Sequence, residues 1–251
     1  MKLRIDKLLV ERGLAPTRER AQAMILAGRV MVNEQKIEKS GTAVADDAAI
    51  RLLGDDLRYV SRGGLKLERA LEHWRIDVTG LTCADVGAST GGFTDCLLQH
   101  GAARVVAIDT GYGQIDAKLR ADARVRLLEK TNARYLEAEQ VPETVAFVAM
   151  DVSFISATLV LPAVVRAMWQ GRPPAEIPRR EIVVLVKPQF EAGREQVGKG
   201  GIVRDEAAQL GAVERVRRAV EELGGAGIEV IDSPILGTEG NREFLLHAVI
   251  R

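Results

Sequence analysis

Apolar positions in the first 30 residues recur at helical spacing: Ile5, Leu8 and Leu9 with Arg12 alongside, then Ala21, Met24 and Ile25. Gly13 and Gly28 stop these runs, and Pro16-Thr17 opens the second with Thr17 as its N-cap. Two short helices are therefore predicted, followed by a strand over residues 30–33 and, after polar turns, an apolar run over residues 49–53. Beyond residue 60 the pattern changes. Strand-like segments at residues 83–86, 104–109, 145–151 and 182–187 alternate with helical stretches that start at Gly92, span 156–169 and span 205–223. Gly224-Gly225 is expected to close the last of these helices. Such alternation predicts a parallel α/β sheet, finished by residues 228–231 and 243–250 as an antiparallel pair. Residues 172–180, with three prolines, and residues 189–204, with Gly193, Gly198, Gly200 and Gly201, read as loops. A loop as long as the second is often functional, and we expect a lid over an unstacked nucleotide.

The composition of the 251 residues, 47% hydrophobic with 35 basic against 35 acidic side chains, excludes a disordered chain. The longest uncharged stretch near the middle, residues 152–165, has 14 residues and contains Pro162, too short for a spanning helix. No apolar signal region follows Lys2, Arg4, Asp6 and Lys7, so a soluble, cytoplasmic chain is expected. Cys83 and Cys96 form no CxxC pair and the histidines His73, His100 and His247 are scattered, so no metal site is expected.

Zero net charge gives no whole-protein reason to suspect a nucleic-acid partner, but it conceals a local excess. Residues 1–30 hold seven basic and three acidic groups, residues 31–60 four and six, and residues 61–251 24 and 26. Arg18, Arg20 and Arg29 would lie on the exposed side of a small α/β unit, which charge alone could equally make a solvated face. The segments Arg4-Ile5-Asp6-Lys7-Leu8-Leu9, Gly13-Leu14-Ala15, Thr17-Arg18, Ala21, Gly28 and Val30-x-Val32-Asn33 resemble the S4 RNA-binding domain. The resemblance implies a domain over residues 1–60 that presents Arg4, Lys7, Arg18, Arg20 and Arg29 to structured RNA, with a second domain over 61–251.

In that second domain, Asp85-Val86-Gly87-Ala88-Ser89-Thr90-Gly91-Gly92-Phe93 sits where the first strand turns into a helix. Glycines there let the backbone approach a ligand at the carboxyl end of the sheet. The dinucleotide fingerprint wants glycine where Ser89 stands, which disfavours a pyrophosphate, whereas S-adenosylmethionine tolerates this turn. Asp109, ending the second strand, suits ribose hydroxyls. Asn132-Ala133-Arg134 could contact adenine, although a plain loop is nearly as good a reading. The cofactor set is thus Gly87, Ser89, Thr90, Gly91, Gly92, Phe93, Asp109, Asn132, Ala133, Asp151 and Phe154.

Lys66, Asp151, Lys187 and Glu243 each break or border an apolar segment. Ligands gather at the carboxyl ends of parallel strands, which brings Asp151 and Lys187 to the crevice of the glycine turn. A reversed last strand brings Glu243 to the same edge. The four resemble the K-D-K-E set of 2′-O-ribose methyltransferases. With Ser61-Arg62-Gly63-Gly64-x-Lys66-Leu67, Gly111-Tyr112-Gly113-Gln114, Ser153-Phe154-Ile155-Ser156, Lys187-Pro188-Gln189-Phe190-Glu191 and Gly240-Asn241-x-Glu243, nearly the full chain is similar to the TlyA family, historically called haemolysins.

The resemblance implies a Rossmann-like, FtsJ-like methyltransferase that modifies a cytidine 2′-hydroxyl in ribosomal RNA. The short ends resemble the subtype acting on the large subunit. A poor nucleophile must shed its proton as it attacks the sulfonium methyl group, and Lys187 is expected to accept it. Lys66 would help keep Lys187 neutral by repulsion. Of the carboxylates Asp151, Glu239 and Glu243, the strand-opening motif favours Glu243 as an orienting group. Two other classes stay open: a non-catalytic RNA-binding assembly factor, against which the intact set argues, and a haemolysin, against which the lack of a spanning or amphipathic segment argues.

Overall fold

The computed structural model describes every residue except 1, 16, 27, 34, 53–57, 174–176, 178, 238 and 239, and only the backbone of Arg194. Pro16, the proposed start of the second helix, and Glu239 therefore lie outside the described residues. The chain divides into two compact units, Met1–Leu57 and Arg58–Arg251.

The smaller unit runs β1 (Lys2–Arg4), α1 (Ile5–Glu11), α2 (Arg18–Leu26), β2 (Val30–Val32), β3 (Gln35–Lys36), β4 (Ala43–Ala45) and β5 (Ile50–Leu52). Strand β1 pairs with β4, and β2 lies between β3 and β5, all antiparallel. Ile5, Leu8, Leu9, Ala21, Met24 and Ile25, the residues whose spacing predicted two helices, are buried together against Val30, Val32 and Val44. Thr17 Oγ1 accepts the Arg20 N–H at 3.2 Å and satisfies one free donor of the helix start. Asn33 belongs to the turn rather than the strand: its φ of +50° is the left-handed conformation that asparagine tolerates, and its side chain accepts the Ala49 N–H.

The larger unit contains α3 (Gly63–Trp74), β6 (Thr82–Val86), α4 (Gly92–Gln99), β7 (Arg104–Ile108), α5 (Ala117–Ala121), β8 (Val125–Leu128), β9 (Phe147–Met150), α6 (Ala157–Trp169), β10 (Glu181–Val186), α7 (Pro188–Glu191), α8 (Glu206–Glu222), β11 (Gly225–Asp232) and β12 (Phe244–Ile250). Its seven strands follow the order β11-β12-β10-β9-β6-β7-β8. Strand β12 runs antiparallel to both neighbours, and the other pairs are parallel.

Both faces of the sheet are covered, which is why β10 reads as an unbroken apolar run. Ile182, Val184 and Val186 join the core beneath α6 and α8. Val183 and Leu185 join the opposite core with α3 and α4. Ser156 and Asp205 cap α6 and α8, each accepting backbone N–H bonds from the first turn.

Two loop assignments change. Gly225 opens β11 instead of closing α8, and Gly224 alone, at φ +88°, makes the turn. Residues 189–204 are not uniformly loop, since α7 begins directly after Lys187 and a 3₁₀ turn covers Arg194–Gln196. Pro188 at the first helical position starts α7, because proline lacks only a donor that is unpaired there anyway.

Candidate active site

Strand β6 delivers its carboxyl end into the glycine turn. Gly87 has φ +91°, and a Cβ there would lie 2.3 Å from the Asp151 carbonyl oxygen, so only glycine lets β6 and the end of β9 approach this closely. Ser89 is itself left-handed, at φ +48°. Its N–H donates to Asp109 Oδ2 at 2.8 Å, and the Gly111 N–H donates to Oδ1 at 2.7 Å. Asp109 thereby braces the turn and lines the crevice beside it.

Two adjoining crevices of about 280 and 330 Å³ open at this edge, close to the size range of small-molecule sites. The first is lined by Gly87, Ser89, Thr90, Gly92, Phe93 and Asp151 together with Lys66, Lys187 and Glu243. The second is lined by Gly87, Ser89, Asp109, Asn132, Ala133, Asp151 and Phe154. Gly91 lines neither: it is the N-cap of α4 at φ +96°, and a Cβ there would meet Leu119.

Behind the turn, Asp85 is fully buried. Its Oδ2 accepts the Thr94 N–H at 2.8 Å and the Thr94 hydroxyl at 2.6 Å, while Oδ1 has no hydrogen-bond partner among the described residues. Burial pushes its carboxyl from the ordinary 3.8 up to about 7, with Thr94 opposing the rise and Asp151 adding to it. The folded state thus holds a proton that the unfolded chain releases, and this stabilisation is lost as pH climbs from the ordinary value through about 7. Thermal unfolding across that window should show wild-type stability falling relative to Asp85→Asn, which stays neutral throughout. Parallel curves for the two proteins would rule out this linkage.

The four charged residues form two ion pairs. Lys66 Nζ, from the first turn of α3, donates to Glu243 Oε2 at 2.5 Å. Lys187 Nζ, at the end of β10, lies 2.5 Å from Asp151 Oδ1 and donates to Ser153 Oγ at 2.7 Å. Lys66, Lys187 and Glu243 are buried. Each lysine therefore sits beside its own carboxylate, Lys66 with Glu243 and Lys187 with Asp151.

Supporting groups that stand in the quoted motifs, but to which the sequence assigned no role, hold this arrangement. Ser153 orients Lys187. Glu191 is buried and accepts the Ala157 N–H at 2.6 Å and the Ser156 hydroxyl at 2.5 Å, tying the segment after Lys187 to the start of α6. Burial pushes the Glu191 carboxyl up, against these two donors. Asn241 accepts the Val203 N–H at 3.1 Å and donates to the Gly201 carbonyl at 2.9 Å, pinning the far end of the glycine-rich segment. Gly64 underlies Tyr59, whose ring a Cβ would meet at 2.2 Å. The doubled glycine of residues 63–64 was a signal for such close packing.

Beside Lys187 a space of about 440 Å³ is walled by Phe154, Gln189, Phe190, Val197 and Asn241. Phe154 is strained into φ +63° and is 92% exposed, with its ring 5.4 Å from that of Phe190. In the smaller unit, Arg4, Lys7 and Arg18 are exposed and Arg20 and Arg29 half-buried. Among the described residues, no helix is long and apolar enough to cross a membrane.

The FtsJ-like methyltransferase family matches residues 59–249, and the S4 domain matches residues 3–50. The 16S/23S rRNA (cytidine-2′-O)-methyltransferase TlyA of Mycobacterium tuberculosis is 46% identical over 244 residues, covering 97% of this chain and 88% of that protein. The 23S rRNA (cytidine-2′-O)-methyltransferase TlyA of Campylobacter jejuni is 34% identical over 192 residues, 76% of this chain and 71% of the relative. A solved structure from Streptococcus thermophilus, named as a hemolysin, shares 43% identity at a TM-score of 0.74, covering 99% of this chain and 88% of that one.

Proposed function

This chain belongs to the FtsJ-like methyltransferase family, in its S4-bearing TlyA branch, and on that premise we propose that it methylates a cytidine 2′-hydroxyl of ribosomal RNA with S-adenosylmethionine. The observation that carries the reading is the pair of ion pairs, Lys66–Glu243 and Lys187–Asp151, in the crevice of the glycine turn. Large-subunit RNA is the proposed substrate, because it is the molecule common to the two rRNA methyltransferases named above: one is named for 16S and 23S rRNA, the other for 23S alone.

The residues present fit the cofactor. Gly87 leaves room where a Cβ would strike backbone, and the Asp109 carboxylate stands at the crevice with acceptor capacity beyond its two amide bonds. Asp109 would hold the ribose hydroxyls, and Asn132 and Ala133 would border the adenine. S-adenosylmethionine supplies an electrophilic methyl group on a sulfonium.

The chain's own residues do the rest. The space beside Lys187 admits an unstacked nucleotide under the segment that Glu191 and Asn241 anchor. Lys187 Nζ, aimed by Asp151 and Ser153, takes the 2′-hydroxyl proton as the oxygen attacks, entering the step as the free amine because its ammonium form has no lone pair to accept with. Lys66, fixed by Glu243, holds a positive charge at the same crevice, where it orients the incoming oxygen. Alignment of oxygen, methyl and sulfur supplies much of the remaining rate. The S4 domain docks the RNA through its basic side chains.

Tritiated-methyl transfer to isolated large and small ribosomal subunits tests the reading. Label is expected in large-subunit RNA, recovered as a 2′-O-methylated cytidine. Binding without transfer to either subunit would instead identify a non-catalytic RNA-binding factor.

A further inference from the structure

Asp6 occupies the first turn of α1 with no solvent exposure, and four side-chain bonds from three residues fill its carboxylate. Arg4 grips it in parallel, Nε to Oδ1 at 3.0 Å and Nη2 to Oδ2 at 2.9 Å. Arg18 Nε donates to Oδ2 at 2.9 Å and Gln22 Nε2 to the same oxygen at 3.0 Å. One carboxylate thus joins the end of β1, the start of α1 and the start of α2.

A guanidinium has five N–H donors. Arg4 gives two to Asp6 and Arg18 gives one, and among the described residues neither donates a further hydrogen bond. The side chains remain 46% and 45% exposed, so the unused donors are accessible to a ligand. Arg4 above all holds the Asp6 carboxyl far below the usual range, which keeps it ionised at neutral pH. The trio of Arg4, Arg18 and Asp6 carries a net single positive charge.

We propose that Asp6 is a positioning residue for RNA docking: it locks Arg4 and Arg18 into one rigid pair of guanidinium forks that receives phosphodiester oxygens of structured ribosomal RNA. The proposal rests on the reading of the smaller domain as the RNA-docking module. Its physical basis is preorganisation. A free arginine loses the freedom of several rotatable bonds when it engages a phosphate. An arginine already fixed at Nε loses less and presents its terminal N–H groups in the planar geometry that phosphate accepts.

The test measures binding of the full-length protein to isolated large ribosomal subunits at several salt concentrations, with S-adenosylmethionine affinity and thermal unfolding followed in parallel. Asp6→Asn removes a negative charge from a basic patch, so charge attraction alone would tighten RNA binding. Positioning requires the opposite sign: a loss of about tenfold, the scale of one charge-assisted hydrogen bond, with cofactor affinity unchanged. The salt dependence should also become shallower, by roughly 0.9 in log–log slope for each phosphate that is no longer neutralised.

Arg18→Lys keeps the charge but loses the fork and the Nε bond, and it should weaken binding about as much as Arg18→Ala. If Asp6→Asn unfolds the smaller domain, the Arg18→Lys comparison decides. Tighter or unchanged binding by folded Asp6→Asn, or wild-type binding by Arg18→Lys, overturns the proposal while leaving RNA docking intact. Unchanged binding by the Arg4→Ala, Arg18→Ala double variant overturns the docking reading itself, and the proposal with it.

Discussion

Lys187→Ala should lose about 10²–10⁴-fold in methyl transfer, the range in which a positioned general base contributes, while binding S-adenosylmethionine as the wild type does. The split follows from where the side chain sits. Nζ lies between Asp151 Oδ1 and Ser153 Oγ, facing the crevice, whereas Asp109, Asn132 and Ala133 line the neighbouring one without it. Truncation removes the proton acceptor and leaves Asp151 without its cation, so Lys187→Met is the control that preserves packing and removes only the amine. Single-turnover methyl transfer measured beside calorimetric cofactor titration separates the two effects. Wild-type-like turnover in either variant would remove Lys187 from the chemistry.

Gly87→Ala should be the most damaging small substitution in the larger domain. Its φ of +91° is strained for any side chain, and its Cβ would sit 2.3 Å from a backbone carbonyl oxygen that cannot swing aside. Strain of that kind costs about 1–3 kcal/mol and overpacking a similar amount, so a loss of about 2–5 kcal/mol in stability is expected. Cofactor affinity should fall by about 100-fold or more, because the displaced carbonyl belongs to Asp151, which with Gly87 lines both crevices. Gly113→Ala separates strain from collision: its φ is +72°, but nothing lies within 4 Å of the added Cβ. Gly113→Ala should lose only the strain component, about 1–3 kcal/mol in thermal unfolding, and keep near-wild-type cofactor affinity, with Gly87→Ala far below it in both. Equal behaviour would mean that β6 and the end of β9 can separate without consequence.

Much of this architecture is legible in the chain because its signals are local. The 3.6-residue spacing of Ile5, Leu8, Leu9 and of Ala21, Met24, Ile25 marks the two small helices, and the unbroken run of residues 182–186 marks a strand buried on both faces. Asp151, Lys187 and Glu243 could be assigned to one edge because strand direction alone puts them there once β12 is reversed. Asn33, Gly225 and α7 escaped local reading. A left-handed asparagine, a glycine that opens a strand and a four-residue helix begun by proline each leave a signal that also fits a loop.

The supporting shell was hidden for a different reason. Glu191 accepts from Ser156 and Ala157, 35 and 34 residues away, and Asn241 reaches Val203 across 38. Nothing in the spacing of such residues shows that their polar atoms meet. Asp6 is the sharpest case, since beside Arg4 and Lys7 it reads as one acidic position in a basic patch.

By itself the sequence determined the alternation of strands and helices, the strand ends that carry charge, and the turn that must be glycine. Those features follow from periodicity and backbone sterics, which act over a few residues. Only the tertiary structure decided which ammonium each carboxylate serves. Strand β10 lies between β12 and β9, so Glu243 and Asp151 flank Lys187 from opposite sides and either could have claimed it. Helix α3 brings Lys66 to Glu243 across 177 residues of chain and leaves Asp151 for Lys187. An ion pair is set by a few ångströms of separation, and that distance is fixed by strand order and helix placement.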